Sequence, residues 1–360
     1  MKALQIHAGP RALKALREQG LRPQDVRAVP GAAGGPKGLV LSPLDQFIFG
    51  EWLAANPEPV HLIGASIGAW RMATACLSDT KQAFARMADD YIRQEYEHTD
   101  GKLPLPAVVS RVFGAKLTEH FAGRESELLN HPRFRLHVFT SRGRHVLRRE
   151  GKRLSKLTTP LGYLGAFATN VLSRKAMGAW LERVIFSDPR DPLPLHLHDY
   201  RTHTASLDLG NLQPSILASC SIPFWLDPVH DIPGAPRGAY WDGGITDYHL
   251  HLNYASMREG LVLYPHFQKT VIPGWLDKAL KHRHRASVHL DNVVVVSPTP
   301  EWIKTLPNAK LPDRADFKHY GDDVPARVAA WSRAVAESQR LSDEFAALVG
   351  RAQSIEAQPL

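Results

Sequence analysis

The stretch Val60-His61-Leu62-Ile63-Gly64-Ala65-Ser66-Ile67-Gly68 decides how this chain folds. Val60 to Ile63 is a short apolar run rich in branched side chains, the composition of a buried strand, and it breaks at Gly64. From Ile67 to Leu77 the apolar spacing turns helical. A strand, a sharp turn with Ser66 at its apex and a helix are therefore predicted. The same order stands just upstream. Val26–Val29 reads as a strand, and Gly31-Ala32-Ala33-Gly34-Gly35-Pro36-Lys37-Gly38 as a glycine-rich turn. A helix with Leu39, Leu44, Phe47 and Ile48 on one face then reaches about Ala55. Two strand–turn–helix units in succession are the pattern of an α/β fold, a parallel sheet with crossover helices.

Further out the signals thin. Pro10 and Gly20 frame a short helix, so residues 1–24 read as a helical extension. Phe134–Phe139 alternates with period two and predicts a strand. Residues 145–186 read as helical and basic, with Tyr163, Leu164, Phe167, Val171 and Leu172 as their apolar set. Leu261–Leu263 and Val293–Val296 are strand candidates, and a last helix is predicted over 325–348, bounded by Gly350. With neither an internal repeat nor a low-complexity linker, one elaborated domain is expected, in which 251–360 supplies strands and a helix to the body at 25–250.

The chain has 360 residues, 44% hydrophobic and 22% charged, a globular balance that argues against disorder, collagen and coiled coil. Cys76 and Cys220 are its only cysteines, too few for a disulfide framework or a thiolate zinc cage. The first residues lack the apolar core of a signal peptide, and the longest uncharged stretches, 157–173 and 209–226, are interrupted by Pro, Gly, Asn, Gln and Ser, so none reads as a transmembrane helix. A cytoplasmic protein is expected. Its net charge of +8 is uneven: residues 142–156 carry +6 and residues 277–285 carry +3. The first run holds Arg142, Arg144, Arg148, Arg149, Lys152, Arg153 and Lys156, and beside the apolar residues of 161–172 it suits peripheral contact with an anionic membrane. It lacks the interleaved aromatics that would support nucleic-acid binding, and no nucleic-acid partner is expected.

Three elements carry chemistry. Gly64-Ala65-Ser66-Ile67-Gly68, between strand and helix, fits a nucleophile elbow, with Gly64 and Gly68 removing side chains that would clash. Gly34-Gly35-Pro36-Lys37-Gly38 fits neither a Walker loop nor a dinucleotide fingerprint, since Lys37 is not followed by Ser or Thr and the glycine spacing is wrong. It leaves backbone N–H groups at a helix start, with Gly34, Gly35 and Lys37 as candidate donors to an oxyanion. Asp242-Gly243-Gly244 gives a carboxylate on a tight turn.

Together these elements resemble the patatin-like phospholipase family, whose pattern is a loop ending in G-G-x-(Arg or Lys)-G, then G-x-S-x-G, then D-G-(Gly or Ala) far downstream. Ile216-Leu217-Ala218-Ser219-Cys220-Ser221-Ile222-Pro223-Phe224 also looks like that family's A-S-x-A-x-P helix. The resemblance covers roughly 25–250 and implies a three-layer α/β/α domain with a mostly parallel central sheet. It implies that the catalytic pair is Ser66, the nucleophile, and Asp242, its base, with Gly34, Gly35 and Lys37 at the oxyanion hole. The implied activity is hydrolysis of an acyl lipid or phospholipid through an acyl-enzyme, without metal or organic cofactor; acyl transfer to another acceptor is a variant. One departure stands out: Ala33 occupies the place where most relatives have a third consecutive glycine.

Two rival chemistries follow from the histidines. His249, His251 or His266 downstream of Asp242 would complete a Ser–Asp–His triad as in α/β-hydrolases. His196, His198, Asp199 and His203, or Asp247, His249 and His251, offer paired imidazoles to a metal, though at a spacing that matches no known metal motif. A non-enzymatic protein that binds anionic surfaces is the third alternative.

Overall fold

The computed structural model describes residues 1–97, 104–149, 155–351 and 354–360. Its centre is a sheet built from β1 (Leu4–Ala8), β2 (Val26–Gly31), β3 (Val60–Ala65), β4 (Phe134–Gly143), β5 (Leu181–Ser187), β6 (Thr202–Ser206), β7 (Val229–His230), β8 (Ala239–Asp242), β9 (Leu261–Pro265), β10 (Val293–Pro298) and β11 (Gln358–Pro359). The strand order is β11-β1-β10-β9-β2-β3-β4-β5-β6, with β8 pairing both β4 and β7. The run β10-β9-β2-β3-β4 is parallel throughout. β1 joins it antiparallel to β10, and β5 antiparallel to β4. Every residue of β3 is buried, as expected for a strand covered on both faces by crossover helices. The fold is thus the expected α/β domain, a mostly parallel central sheet flanked by helices.

The strands read from apolar runs all form. The helix framed by Pro10 and Gly20 spans Pro10–Gln19, and Gly20 closes it at φ 72°. Downstream, the expected helix over 325–348 is two, Val324–Glu337 and Gln339–Val349, meeting at Ser338.

Two expectations are corrected. Residues 1–24 are not wholly a helical extension, because Leu4–Ala8 is a strand of the main sheet, paired residue for residue with Val294–Pro298. The helical reading of 145–186 holds for Ser155–Leu172 and Arg174–Met177 but fails at Leu181–Ser187, which is β5. Charge misled that reading. Glu182 and Arg183 look like a solvated helix face, yet both side chains are buried in ion pairs, Glu182 with Arg142 and Arg183 with Asp247.

The basic run divides as well. Arg142 is held by Glu182 and by the carbonyl of Arg237, and Arg144 donates to the Gly178 carbonyl at 2.8 Å. Arg148 and Arg149 are exposed. Glu150, Lys152 and Arg153 lie outside the described residues, as does the side chain of Lys156. No described helix is long and apolar enough to cross a membrane.

Candidate active site

Ser66 alone makes the turn between β3 and the helix Ile67–Thr74. Its backbone sits at φ 57°, ψ −131°, a conformation that costs a non-glycine residue about 1–3 kcal/mol and persists only where the surroundings enforce it. The flanking glycines are part of that enforcement. A Cβ on Gly68 would stand 1.8 Å from the Gly31 carbonyl oxygen, and one on Gly64 would stand 2.4 Å from Ala69 Cα. The helix start is therefore pressed directly against the end of β2. From the other side the Ser66 N–H donates to Ser219 Oγ at 2.9 Å, and that hydroxyl donates to the Phe139 carbonyl at 2.7 Å.

Asp242 arrives by sheet register. β4 lies parallel to β3, with Phe139 opposite Ala65, and β8 lies antiparallel to β4, with Asp242 opposite Thr140. The last residue of β8 thereby comes beside the turn that follows β3. Ser66 Oγ donates to Asp242 Oδ2 at 2.6 Å, while Asp242 Oδ1 accepts the Gly244 N–H at 2.7 Å. Gly243 is required next, because a Cβ there would stand 2.1 Å from the Phe139 carbonyl oxygen. Both side chains are nearly enclosed, Ser66 4% and Asp242 5% exposed. Burial pushes the Asp242 carboxyl up to about 6, against the opposing pull of Ser66, Arg314, the Gly244 amide and Lys278.

The glycine loop runs alongside. Gly35 takes φ 57° and opens a 3₁₀ helix, Gly35–Leu41, with Pro36 in its first turn. Because a helix offers no acceptor to its first N–H groups, and Pro36 has none to offer, the amides of Gly35 and Lys37 are left for other partners. Gly34 has no room for a side chain: a Cβ would stand 2.5 Å from the Phe267 ring. Ala33 is tolerated for a simple reason. It is not among the residues with positive φ, and its N–H is already taken by the Tyr248 carbonyl at 2.8 Å.

Ser66 and Asp242 open onto a cavity of about 850 Å³. Gly34 and Lys37 line it, whereas Gly35 lines a small neighbouring cavity of about 60 Å³ that also reaches Ser66. The large cavity is apolar over most of its wall, through Tyr163, Leu164, Phe167, Ile222, Tyr248 and Leu276 among others. Its polar groups gather at the serine end.

The histidines do not join this group. His249 Nδ1 faces Thr270 O and accepts the Ile272 N–H, His251 bonds Val271 O and Ser287 Oγ, and His266 Nδ1 bonds the Gln268 backbone. None of their hydrogen bonds reaches Ser66 or Asp242. Burial holds His249 well below its ordinary value, His251 at about 4 and His266 at about 3. Nor do the histidine–aspartate sets converge. His196 and His198 lie 6.1 Å apart by ring centroid, and His203 sits beside Glu182. Asp199 and Asp247 are bound by Arg183. Among the described residues no group of three or more His, Cys, Asp or Glu is placed to share a metal ion.

Three residues of this site were not singled out from sequence. Ser219, which holds the backbone of Ser66, lay inside a recognised segment but carried no local sign of its task. Lys278 and Arg314 line the cavity beside Ser66 from loops that follow β9 and β10; Lys278 falls in the basic run 277–285 without any sign there of this site, and nothing in the local sequence marks Arg314.

No curated protein matches the chain. Among solved structures it is similar to the crystal structure of VipD from Legionella pneumophila, with 11% identity and a TM-score of 0.33 over 95% of this chain and 70% of that one. The family model described as Patatin-like phospholipase matches residues 44–249, more than half of the chain. The matched segment includes Ser66, Asp242 and Ser219, and it stops short of Lys278 and Arg314.

Proposed function

The chain belongs to the patatin-like phospholipase family, and from that membership we propose that it hydrolyses lipid acyl esters, of the phospholipase A or lysophospholipase type, through Ser66 and Asp242. In this reading Ser66 Oγ attacks the ester carbonyl carbon as its proton passes to Asp242 Oδ2. The tetrahedral oxyanion is met by the amides of Gly34, Gly35 and Lys37. Collapse breaks the ester C–O bond, and Asp242 returns the proton to the departing alcohol. Water then repeats the sequence on the Ser66 ester and releases the fatty acid. No imidazole takes part.

One observation carries the reading: the 2.6 Å hydrogen bond from a strained serine to a buried carboxylate, at the wall of a cavity sized for an acyl chain. The shift of Asp242 to about 6 suits the role, since it leaves the carboxylate ionised at neutral pH and a stronger base than an ordinary aspartate. A serine-directed phosphonate should label Ser66 and no other residue, and Ser66→Ala should abolish both labelling and fatty-acid release from a phospholipid mixture. Wild-type labelling of folded Ser66→Ala would end the proposal.

Peripheral contact with anionic lipid is part of the same reading. Leu161, Leu164, Phe224, Trp225 and Trp275 are exposed, and all but Leu161 line the cavity. The turn His145–Arg148 packs its Leu147 into the same small core as Tyr163 and Ala166, which brings exposed Arg148 and Arg149 beside this apolar rim. Aromatic side chains flanked by cations are suited to the headgroup layer of an anionic bilayer.

A further inference from the structure

The serine end of the cavity holds more positive charge than its own acid can offset. Lys37, Lys278 and Arg314 all line the cavity, and Arg314 and Lys278 both act on the Asp242 carboxyl. The three are close to one another. Arg314 Nε would stand 3.3 Å from a Cβ placed on Gly35, in the loop that carries Lys37. Lys278, at the mouth, lies with its ammonium 4.1 Å from the centre of the Tyr248 ring. Loss of water, then repulsion from Lys37 and Arg314, pushes that ammonium down to about 8.

None of the three has a carboxylate ion-pair partner among the described residues, although acids stand next to two of them in sequence. Asp277, before Lys278, is held by Arg174 at 3.0 Å and by Arg283 at 2.8 Å. Asp313, before Arg314, also lines the cavity, but Lys310 binds it at 2.8 Å. Asp316, two residues on, takes the same lysine and the Trp331 indole N–H. Each nearby acid is thus occupied elsewhere, and Lys278 and Arg314, both still exposed to solvent on one side, are left facing the cavity. Crowded cations without counter-charge repel one another, and a bound anion relieves that repulsion.

We propose that Lys37, Lys278 and Arg314 form an anion subsite beside Ser66 that receives the phosphate of an acyl lipid's headgroup, so that anionic lipids are taken in preference to neutral esters. The inference rests on the lipid hydrolase reading and adds the substrate class to it. A free phosphate would fill the polar end alone. An acyl lipid fills both ends, with its chain along Tyr163, Leu164, Phe167 and Leu276. Lys278 and Arg314 come from the part of the chain beyond residues 44–249, so the preference is supplied by this chain's own later segment.

The test uses a short-chain ether-linked monoalkylglycerol phosphate, which has no ester to cleave. It is titrated calorimetrically against Ser66→Ala, and against Ser66→Ala that also carries Lys278→Gln and Arg314→Gln. The corresponding neutral monoalkylglycerol and inorganic phosphate are the other two ligands. Each charge-assisted contact should be worth about tenfold in affinity, so the phosphate lipid should lose about 100-fold in the combined variant while the neutral lipid binds both proteins alike. Equal affinity for the phosphate lipid in the two proteins would overturn the subsite. Inorganic phosphate binding as tightly as the phosphate lipid would overturn the headgroup assignment. If the combined variant fails to fold, the comparison within Ser66→Ala decides: the phosphate lipid must bind at least about tenfold tighter than the neutral one, and a ratio near one removes the subsite. Because the probe is not cleaved, the outcome is separate from the hydrolase reading. A chain that binds as expected but releases no fatty acid keeps the subsite and loses the hydrolase. One that cleaves esters but shows no preference keeps the hydrolase and loses the subsite.

Discussion

Asp242 is an ionised carboxylate in a place that resists charge, and that tension can be measured. Its carboxyl titrates at about 6 in the fold, against an ordinary 3.8, so the folded chain holds the proton more tightly than the unfolded one. Stability contributed by this group is therefore present at low pH and is lost as pH rises from about 4 to about 6. A shift of about two units corresponds to at most about 3 kcal/mol. Asp242→Asn keeps the shape without the charge: its oxygen can still accept the Gly244 N–H, and its Nδ2–H₂ would donate to Ser66 Oγ in place of accepting from it. It should raise the melting temperature by a few degrees at pH 8 and change it little at pH 4, while fatty-acid release collapses. An equal melting shift at both pH values would show that the buried charge is not the cause. For the wild-type protein, kcat/KM should climb with pH and level off above about 6. Gly68 makes a second residue-scale case, because its missing side chain would meet the Gly31 carbonyl, a backbone group that cannot rotate away. Gly68→Ala should cost roughly 4 kcal/mol or more in chemical denaturation, and a loss under 1 kcal/mol would mean that β2 and the helix Ile67–Thr74 can separate freely. Ser66, Asp242 and the glycines were legible because a tight turn leaves its signature in consecutive residues. Lys278 and Arg314 were not, since only tertiary packing brings them to the serine.

At the scale of elements, legibility followed burial pattern. β2, β3, β9 and β10 lie in the parallel run and read as plain apolar stretches. β1, β5 and β6 alternate or carry charge, and β5 was mistaken for helix because a pairwise-buried Glu182 and Arg183 resemble surface residues in a linear reading. That charge does structural work. Asp247 accepts from Arg183 at 2.5 and 2.8 Å and from the Tyr200 hydroxyl at 2.6 Å, while Arg174 links it to Asp199 and Asp277. The network ties β5, the short helix Gly244–Asp247 that follows Asp242, and the loop that carries Lys278. Sequence had offered Asp247 to a metal beside His249 and His251; packing gives it to arginine. Removing one partner of a buried pair strands the other, at a cost of about 3–5 kcal/mol. Asp247→Ala should show a loss of that size in urea denaturation, and Asp247→Asn, which keeps acceptors for Tyr200 and Arg183, a smaller one. Equal losses would show that the charge at this position carries the effect and that retained acceptors do not offset its removal.

For the molecule as a whole, orientation on a lipid surface follows from where exposed apolar and basic groups coincide. Residues after 250 build the middle of the sheet, since β9 and β10 lie between β1 and β2, and the same segment brings Trp275 and Lys278 to the cavity mouth. Across that mouth stand Leu164, Phe224 and Trp225, with Phe224 held at φ 69° and 60% exposed. Two contributions to membrane binding should then separate by their salt dependence. Arg148 and Arg149 are each worth about 1 kcal/mol near an anionic surface, so Arg148→Glu with Arg149→Glu should weaken binding to phosphatidylserine vesicles by at least about 30-fold at low ionic strength. That deficit should shrink as salt screens the surface. Leu164→Ser with Trp275→Ser should weaken binding to anionic and to neutral vesicles alike, with little response to salt, because buried apolar area is lost and no charge is added. Co-sedimentation at two ionic strengths distinguishes the cases. If the Leu164/Trp275 variant binds vesicles as the wild type does, while hydrolysing a short soluble ester normally, the cavity mouth does not face the membrane and lipid must enter the site from solution.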